Sequence, residues 1–460
     1  MACKKVNEYC GEVKGHFDWI NDIYVDSNDS LYTFSSDGTF RQWVNGEEKM
    51  RIFAHEGKIW RAVFDEKEST FFTVAWDGWV KKWDKNNGKL LGSKQFHSTY
   101  AMALDIDQRY VFSGDWDRKL IKSTKQDLHV VNMIMLPEIP MAFKIVGDEL
   151  LVGGKEGNLY VLDKKTLQIK SKISLHKSII WKFEIFLNNF IVSYSYDGYI
   201  KLLRKKDQHW KQILEFENKD DPFMGGGVID GLIVGGTLLG ELILWDGITG
   251  EQITKWKPHN KATLVIKKKG DISYSASRDR SVVAFKVKVP MSLHSNNQKK
   301  VIINQLYRIK GSKITPVSSV RDKKGILTGY WEKKAFYCEE AASKNPSLII
   351  ENELSAINDV ELTNKYGFVV SANRKLVMFD RDSKKLLKNI KLPDNPLLVA
   401  TLNNQLIIAY RKGLVEKRKI PNIEENEKIG EIKFKPLKII CTKNRSVIIK
   451  GLGEEKSIKI

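Results

Sequence analysis

A histidine, a serine or threonine and an aspartate recur together along this 460-residue chain. His16, His55, His97, His176 and His259 stand 21, 22, 20, 21 and 20 residues ahead of Asp37, Asp77, Asp117, Asp197 and Asp279. Four positions before each aspartate come Thr33, Thr73, Ser113, Ser193 and Ser275, and six positions after it come Trp43, Trp83, Ser123, Leu203 and Phe285. One such set could supply a nucleophile, a general base and an orienting carboxylate. A catalytic triad occurs once, however, and opens onto a cleft. Here five of the chain's eight histidines fill one repeated slot. The set is therefore read as structural. Imidazole N–H and hydroxyl groups pair a buried carboxylate, and Trp adds an indole N–H with apolar cover. A full four-member set is available only around Asp37 and Asp77.

The segments that must position these residues also repeat. Runs rich in Val, Ile, Tyr, Phe and Trp flank a tight turn in LYTFSSDGTFRQW (31–43), YVFSGDWDRKL (110–120), FIVSYSYDGYIKLL (190–203) and ISYSASRDRSVVAF (272–285). Residues 72–84 carry a further copy, and 150–163 and 232–246 carry weaker ones, with turns near Glu156 and Gly240. Upstream runs such as IWRAVF (59–64) and downstream runs such as GKLLGSKQF (88–96) add two more strands. Four strands per forty residues, with no long amphipathic helix before 290, point to an all-β repeat fold.

With its His, Ser or Thr, Asp and Trp slots, the chain resembles the WD-repeat β-propeller family. The resemblance implies a seven-bladed propeller over 1–290, in which the set above ties each blade together. A divergent propeller-like domain of about four blades is expected over 291–460, with turns near 332, 374, 412 and 453 and no His–Asp pairing. Those four units could close a small ring, stay open, or join a ring with another chain, and an open array of all eleven units is a further reading. The segment 3–14 is expected to supply an outer strand that closes the first ring.

Charge separates the two halves. The net charge is +20, of which residues 291–460 carry +15. Basic runs such as RDKK (321–324), RDSKK (381–385) and RKGLVEKRK (411–419) suit an acidic or nucleic-acid partner, here RNA, with Arg411, Lys412, Lys417, Arg418 and Lys419 as candidate contacts. The bland alternative is a solvated surface. Cys3, Cys10, Cys338 and Cys441 lack CxxC spacing, so no metal site is expected. Free thiols are the expected state, a Cys3–Cys10 disulfide the alternative. No run of 18 apolar residues and no apolar leader occurs, which favours a chain without membrane contact, in the cytoplasm or alternatively the nucleus.

Phosphate-loop, HExxH and GxSxG motifs are absent from the sequence. Phrases such as LDKKTLQI (162–169) also resemble quinoprotein blades, but those enzymes are exported. No catalytic residue and no cofactor is expected. Function then falls to the propeller faces. By the resemblance, the residues before the turn aspartates, among them Trp76, Trp116, Tyr196 and Arg278, lie near one rim. Trp60 and Trp181, five residues after a slot histidine, share that face. They form a candidate aromatic platform with few fixed charges, for a peptide or protein partner. The leading expectation is a non-catalytic scaffold in a multi-subunit complex. The alternative is an RNA-associated accessory subunit binding through the basic half.

Overall fold

The computed structural model describes residues 4–5, 15–288, 301–312, 315–322, 325–332, 334–339, 347–351, 354–436, 438–441, 446–451 and 454–459. The described residues are all β and contain no helix. Cys3 and Cys10, and with them the disulfide alternative, lie outside them. The chain divides into two compact units, one of Asp18–Gly311 and one of Met1–Phe17 with Ser312–Ile460.

In the larger unit, strands follow in antiparallel sets of four. Five sets form separate four-stranded sheets. The last two are joined by one parallel bridge, Gly226 to Val265, into an eight-stranded sheet. The first strands of the seven sets are Ile20–Val25, Ile59–Asp65, Ala101–Ile106, Pro140–Val146, Ile180–Phe186, Phe223–Ile229 and Thr263–Lys269. Each lies beside the next, and the seventh returns to the first. That adjacency is a closed ring, with first strands innermost.

The cause is the period of two along each strand. Middle strands such as Leu31–Ser35 and Thr70–Ala75 are buried on both faces, so both sides read as apolar. Outer strands such as Val130–Met135 alternate between exposed and half-buried. Each joint between neighbouring sheets is filled by its own apolar cluster. Phe34, Phe40, Phe71 and Trp83 fill the first, and Ile20, Trp43, Val265 and Tyr274 fill the joint that shuts the ring.

Turn chemistry fixes the register. Gly38, Gly78 and Gly198 adopt φ of +78°, +78° and +86°. A Cβ on Gly78 would stand 2.1 Å from the carbonyl oxygen of His97, so the side chain is excluded twice, by backbone hand and by space. Arg118 and Arg280 take the same turn position with φ of +67° and +71°, at a cost of about 1 kcal/mol each.

The outer strand of the seventh sheet is Ile302–Ile309, paired with Val282–Lys288. The chain therefore completes this sheet with its own later residues, not with the segment 3–14. Of that segment only Lys4–Lys5 is described, and it pairs with Pro316–Arg321 in the smaller unit. The larger unit accordingly runs past 290, to Gly311.

The smaller unit holds three further sets of four strands and a last set of three. Their first strands, Pro316–Arg321, Ile357–Leu362, Pro396–Leu402 and Lys438–Cys441, stand in series. Buried clusters fill the joints between them. The sequence of these four sets holds no histidine, and they use other buried polar ties. The Asp359 carboxylate accepts the Val399 N–H at 2.9 Å. The Arg381 guanidinium, 1 % exposed, bonds Asp322 at 2.7 Å and the Tyr337 hydroxyl at 2.8 Å.

Candidate interaction face

The repeated polar set is built where the turn of each sheet meets the loop that enters it. His55 Nδ1 lies 3.0 Å from Asp77 Oδ2, and its Nε2 lies 2.7 Å from Thr73 Oγ1, to which the Trp83 indole N–H donates at 2.9 Å. His176 bonds Asp197 at 3.0 Å and Ser193 at 2.8 Å, and His259 bonds Asp279 at 3.0 Å and Ser275 at 2.9 Å. Trp43 donates to Thr33 at 2.9 Å. His16 and Asp37 are both buried, but His16 belongs to the other unit.

The third sheet differs from the sequence expectation. His97 pairs with Asp115 at 2.9 Å and with Ser113 at 2.8 Å, while Asp117 is exposed and accepts the Ser98 hydroxyl at 3.2 Å. The carboxylate has moved two residues back to the end of the strand. From there Asp115 also accepts the Lys119 N–H at 2.9 Å, which ties the turn as Asp77 does through Trp79 at 3.1 Å. In the fourth and sixth sheets a carboxylate replaces the histidine. Glu138 accepts the Glu156 N–H at 2.6 Å and Asp221 accepts the Leu239 N–H at 2.9 Å. Both acids precede their turn residue by 18 positions, and that spacing was the overlooked signal.

Burial holds the imidazoles of His55 and His176 below the ordinary histidine range, despite the opposing aspartates. The hydrogen bonds from His176 help hold Asp197 down at about 2, against the opposite effect of its burial. Neutral imidazoles with Nδ1–H donated to the carboxylate fit both directions. These sets sit inside the joints, with both ring nitrogens of His55, His97, His176 and His259 occupied. The hydroxyls of Thr73, Ser113, Ser193 and Ser275 are buried, so none of these sets opens onto a cleft as a hydrolytic triad does. Among the described residues no group of three His, Cys, Asp or Glu could hold a metal ion.

One face of the ring is built by two repeated devices. Each first strand carries a bulge beside its first residue, which skips Asn21, Trp60, Met102, Met141, Trp181, Met224 and Leu264 from the pairing register. A bulge re-aims its side chain, and these seven converge on the mouth of the central channel. Trp60, Met102 and Met141 form one buried cluster, and Met224 and Leu264 another. The second device is a backbone bond from the residue before each turn to the residue entering the sheet. Ser36 bonds Trp19, Trp76 bonds Lys58, Trp116 bonds Tyr100, Lys155 bonds Ile139, Tyr196 bonds Ile179, Leu238 bonds Pro222 and Arg278 bonds Ala262, all at 2.8–3.1 Å. One repeated bond places all seven residues on one rim.

The four predicted tryptophans therefore share this face at two depths. Trp60, 6 % exposed, is floor, while Trp116, 37 % exposed, is rim. Ring centroids run from Trp181 to Trp60 at 6.3 Å, Trp60 to Trp76 at 5.9 Å, Trp76 to Tyr100 at 4.5 Å and Tyr100 to Trp116 at 6.4 Å. Tyr196 is exposed on the same rim. The platform is more charged than expected. Lys58 lies 4.5 Å over Trp19 and 5.1 Å over Trp76, Lys155 lies 4.4 Å over Trp116, and Arg278 lies 4.2 Å over Trp19. The indole nitrogens of Trp60, Trp76 and Trp181 and the Nε of Arg278 are buried without a hydrogen-bond partner.

Below the bulged ring, the channel is a cavity of about 250 Å³ lined by charged groups of the first strands. Glu184 pairs with Lys182 at 2.8 Å and with Lys267 at 2.7 Å. Burial lowers the Lys182 ammonium to about 8.

The predicted basic cluster of the smaller unit does not converge. Arg418 is 3 % exposed, donating to Glu416 at 2.6 Å and to the Ile423 carbonyl at 2.7 Å, and Lys417 pairs with Glu427 at 3.1 Å. Arg411 and Lys412 are exposed at one end of a hairpin whose other end carries Lys419. Alternation along the strand explains the split, since residues 416 and 418 share the buried side. No helix among the described residues is long and apolar enough to cross a membrane.

Comparison with known proteins gives the same repeat. Residues 46–84 match the family model for the WD domain, G-beta repeat. The chain is 24% identical over 234 residues to Autophagy-related protein 16 of Arabidopsis thaliana, a match that covers 50% of this chain and 38% of that protein. The chain thus spans well under two thirds of this relative's length. Families built on this repeat generally serve as non-catalytic scaffolds for other proteins. Residues 46–84 match a WD repeat, and the antiparallel four-stranded sheets around them follow the same pattern, so the chain is similar to WD-repeat proteins and has an all-β, propeller-type fold.

Proposed function

We propose that the chain is a non-catalytic scaffold that holds a protein partner on the tryptophan-bearing face of its larger unit. The observation that carries this reading is the ladder from Trp181 through Trp60, Trp76 and Tyr100 to Trp116, which keeps three indole N–H groups without an acceptor. Large aromatics beside cations are the residue types that dominate binding hot spots. Buried donors without acceptors cost stability unless a partner supplies one.

The test compares affinity purification of the intact chain with its Trp116→Ala and Tyr196→Ala variants, each with and without nuclease. Recovery of a defined set of proteins should survive nuclease and fall with either variant, while the melting temperature stays within about 2 °C. Recovery that is indifferent to both variants overturns the reading. The RNA alternative rests on the basic runs and the +15 net charge of residues 291–460; of its five candidate contacts, Arg411, Lys412 and Lys419 are exposed.

A further inference from the structure

The face has a local centre. Where the first, second, fifth, sixth and seventh sheets meet, a small cleft is lined by Asn21, Trp60, Arg61, Trp181 and Arg278, with Met224 and Leu264 as apolar walls. Its room is about 10 Å³, enough for one water-sized group but not for a base or a metabolite. The groups around it are almost all donors. Trp60 Nε1 belongs to a residue 6 % exposed and lacks an acceptor, as do Trp181 Nε1 and Arg278 Nε. Arg61 spends two of its N–H groups on the carbonyls of Trp181, at 2.8 Å, and Trp60, at 3.4 Å. The sole unpartnered acceptor lining the cleft is Asn21 Oδ1, whose amide nitrogen is committed to Ser36 at 2.8 Å and to the Ile59 carbonyl at 2.7 Å.

Arg278 is the unusual member. It makes no ion pair among the described residues. It rests on Trp19, and burial lowers its affinity for the proton with only Tyr196 opposing. A half-buried guanidinium without a carboxylate is costly to keep. Such a cation is stabilised by an anion that arrives from outside, and a planar carboxylate matches its fork.

Resting on the scaffold reading above, we infer that the partner is an acidic peptide segment, one of whose Asp or Glu carboxylates seats against Arg278 and the indole N–H groups of Trp60 and Trp181. Lys155 on the same rim adds attraction for an acidic chain, while Lys58 is shared with Asp18 at 3.8 Å. A nucleic acid fits less well. Its bases need free ring faces, and here Trp76 is covered by Tyr100 and Lys58, and Trp116 by Lys155.

The experiment selects a random dodecamer peptide library, displayed on phage, on the immobilised full chain. Recovered peptides are then synthesised and titrated by fluorescence anisotropy. The inference expects a shared Asp or Glu. Arg278→Met keeps the stacking stem and should weaken binding by about tenfold or more, with Arg278→Lys partly restoring it. Exchanging the peptide's Asp for Asn should lose as much, and the two changes together should lose little more. Peptides that depend on Trp116 yet carry no essential acid would overturn the acidic partner and leave the scaffold face standing. Peptides indifferent to Trp116, Tyr196 and Arg278 alike, or single-stranded RNA displacing a selected peptide at physiological salt, would overturn both.

Discussion

At the residue scale, the sharpest test lies in the third sheet. Sequence spacing points to Asp117, and the structure pairs His97 with Asp115. Asp115→Asn should cost about 1–3 kcal/mol in urea unfolding, because a buried acceptor of two hydrogen bonds loses its charge. Asp117→Asn should stay within about 0.5 kcal/mol. The histidines predict a pH dependence of definite sign. His55 and His176 bind protons less readily folded than unfolded. Their contribution is therefore complete above the unfolded value of about 6.5 and is lost as pH falls below it, by up to ~1.4 kcal/mol per pH unit for each histidine. Asp197, held at about 2, adds a further loss below about pH 4. Melting temperatures between pH 7.5 and 5 should fall accordingly, about half as steeply in His176→Gln, and a flat profile would contradict the neutral assignment.

At the element scale, the legible parts were those written in the backbone's own periodicity. Turn pairs such as Asp77–Gly78 and apolar runs such as Phe71–Ala75 reveal the strands directly, because strand sides alternate and left-handed turns need glycine. The bulged position was half legible. Trp60 and Trp181 stood out as tryptophans, while Met102 and Leu264 occupy the same slot five residues after a histidine and looked like ordinary core. Glu138 and Asp221 were legible only through their shared spacing of 18 residues before the turn, because an acid that caps the turn is marked by where the turn N–H points and not by residue type. The depth of the bulged slot yields a contrast. Trp60→Ala should cost about 3–5 kcal/mol and lower the melting temperature clearly, whereas Trp116→Ala should hardly move it. Gly78→Ala should be worse than a propensity scale suggests, since the His97 carbonyl must shift as well.

At the scale of the whole molecule, net charge proved a poor guide to where charge is available. Residues 291–460 hold most of the excess, yet Arg381 and Arg418 are consumed in buried ties. Arg418→Ala should cost about 3–5 kcal/mol, because Glu416 is left buried with only the Tyr410 hydroxyl. Arg411→Ala should change stability by no more than about 0.5 kcal/mol. Thermal melts of the two variants side by side would separate a structural from a surface arginine.

The two units are also threaded in an unusual order. Lys4–Lys5 pairs with a strand that begins at Pro316, and the Ser312 N–H bonds the His16 carbonyl at 2.8 Å, while the ring occupies everything between. The ring is thus a guest within its neighbour's chain. During translation the Lys4–Lys5 strand must wait, unpaired, until more than three hundred later residues have left the ribosome and the ring has had time to form. Trimming the first few residues should consequently loosen the C-terminal sheets and spare the ring that directly follows the cut, a reversal that limited proteolysis of the shortened chain would make visible.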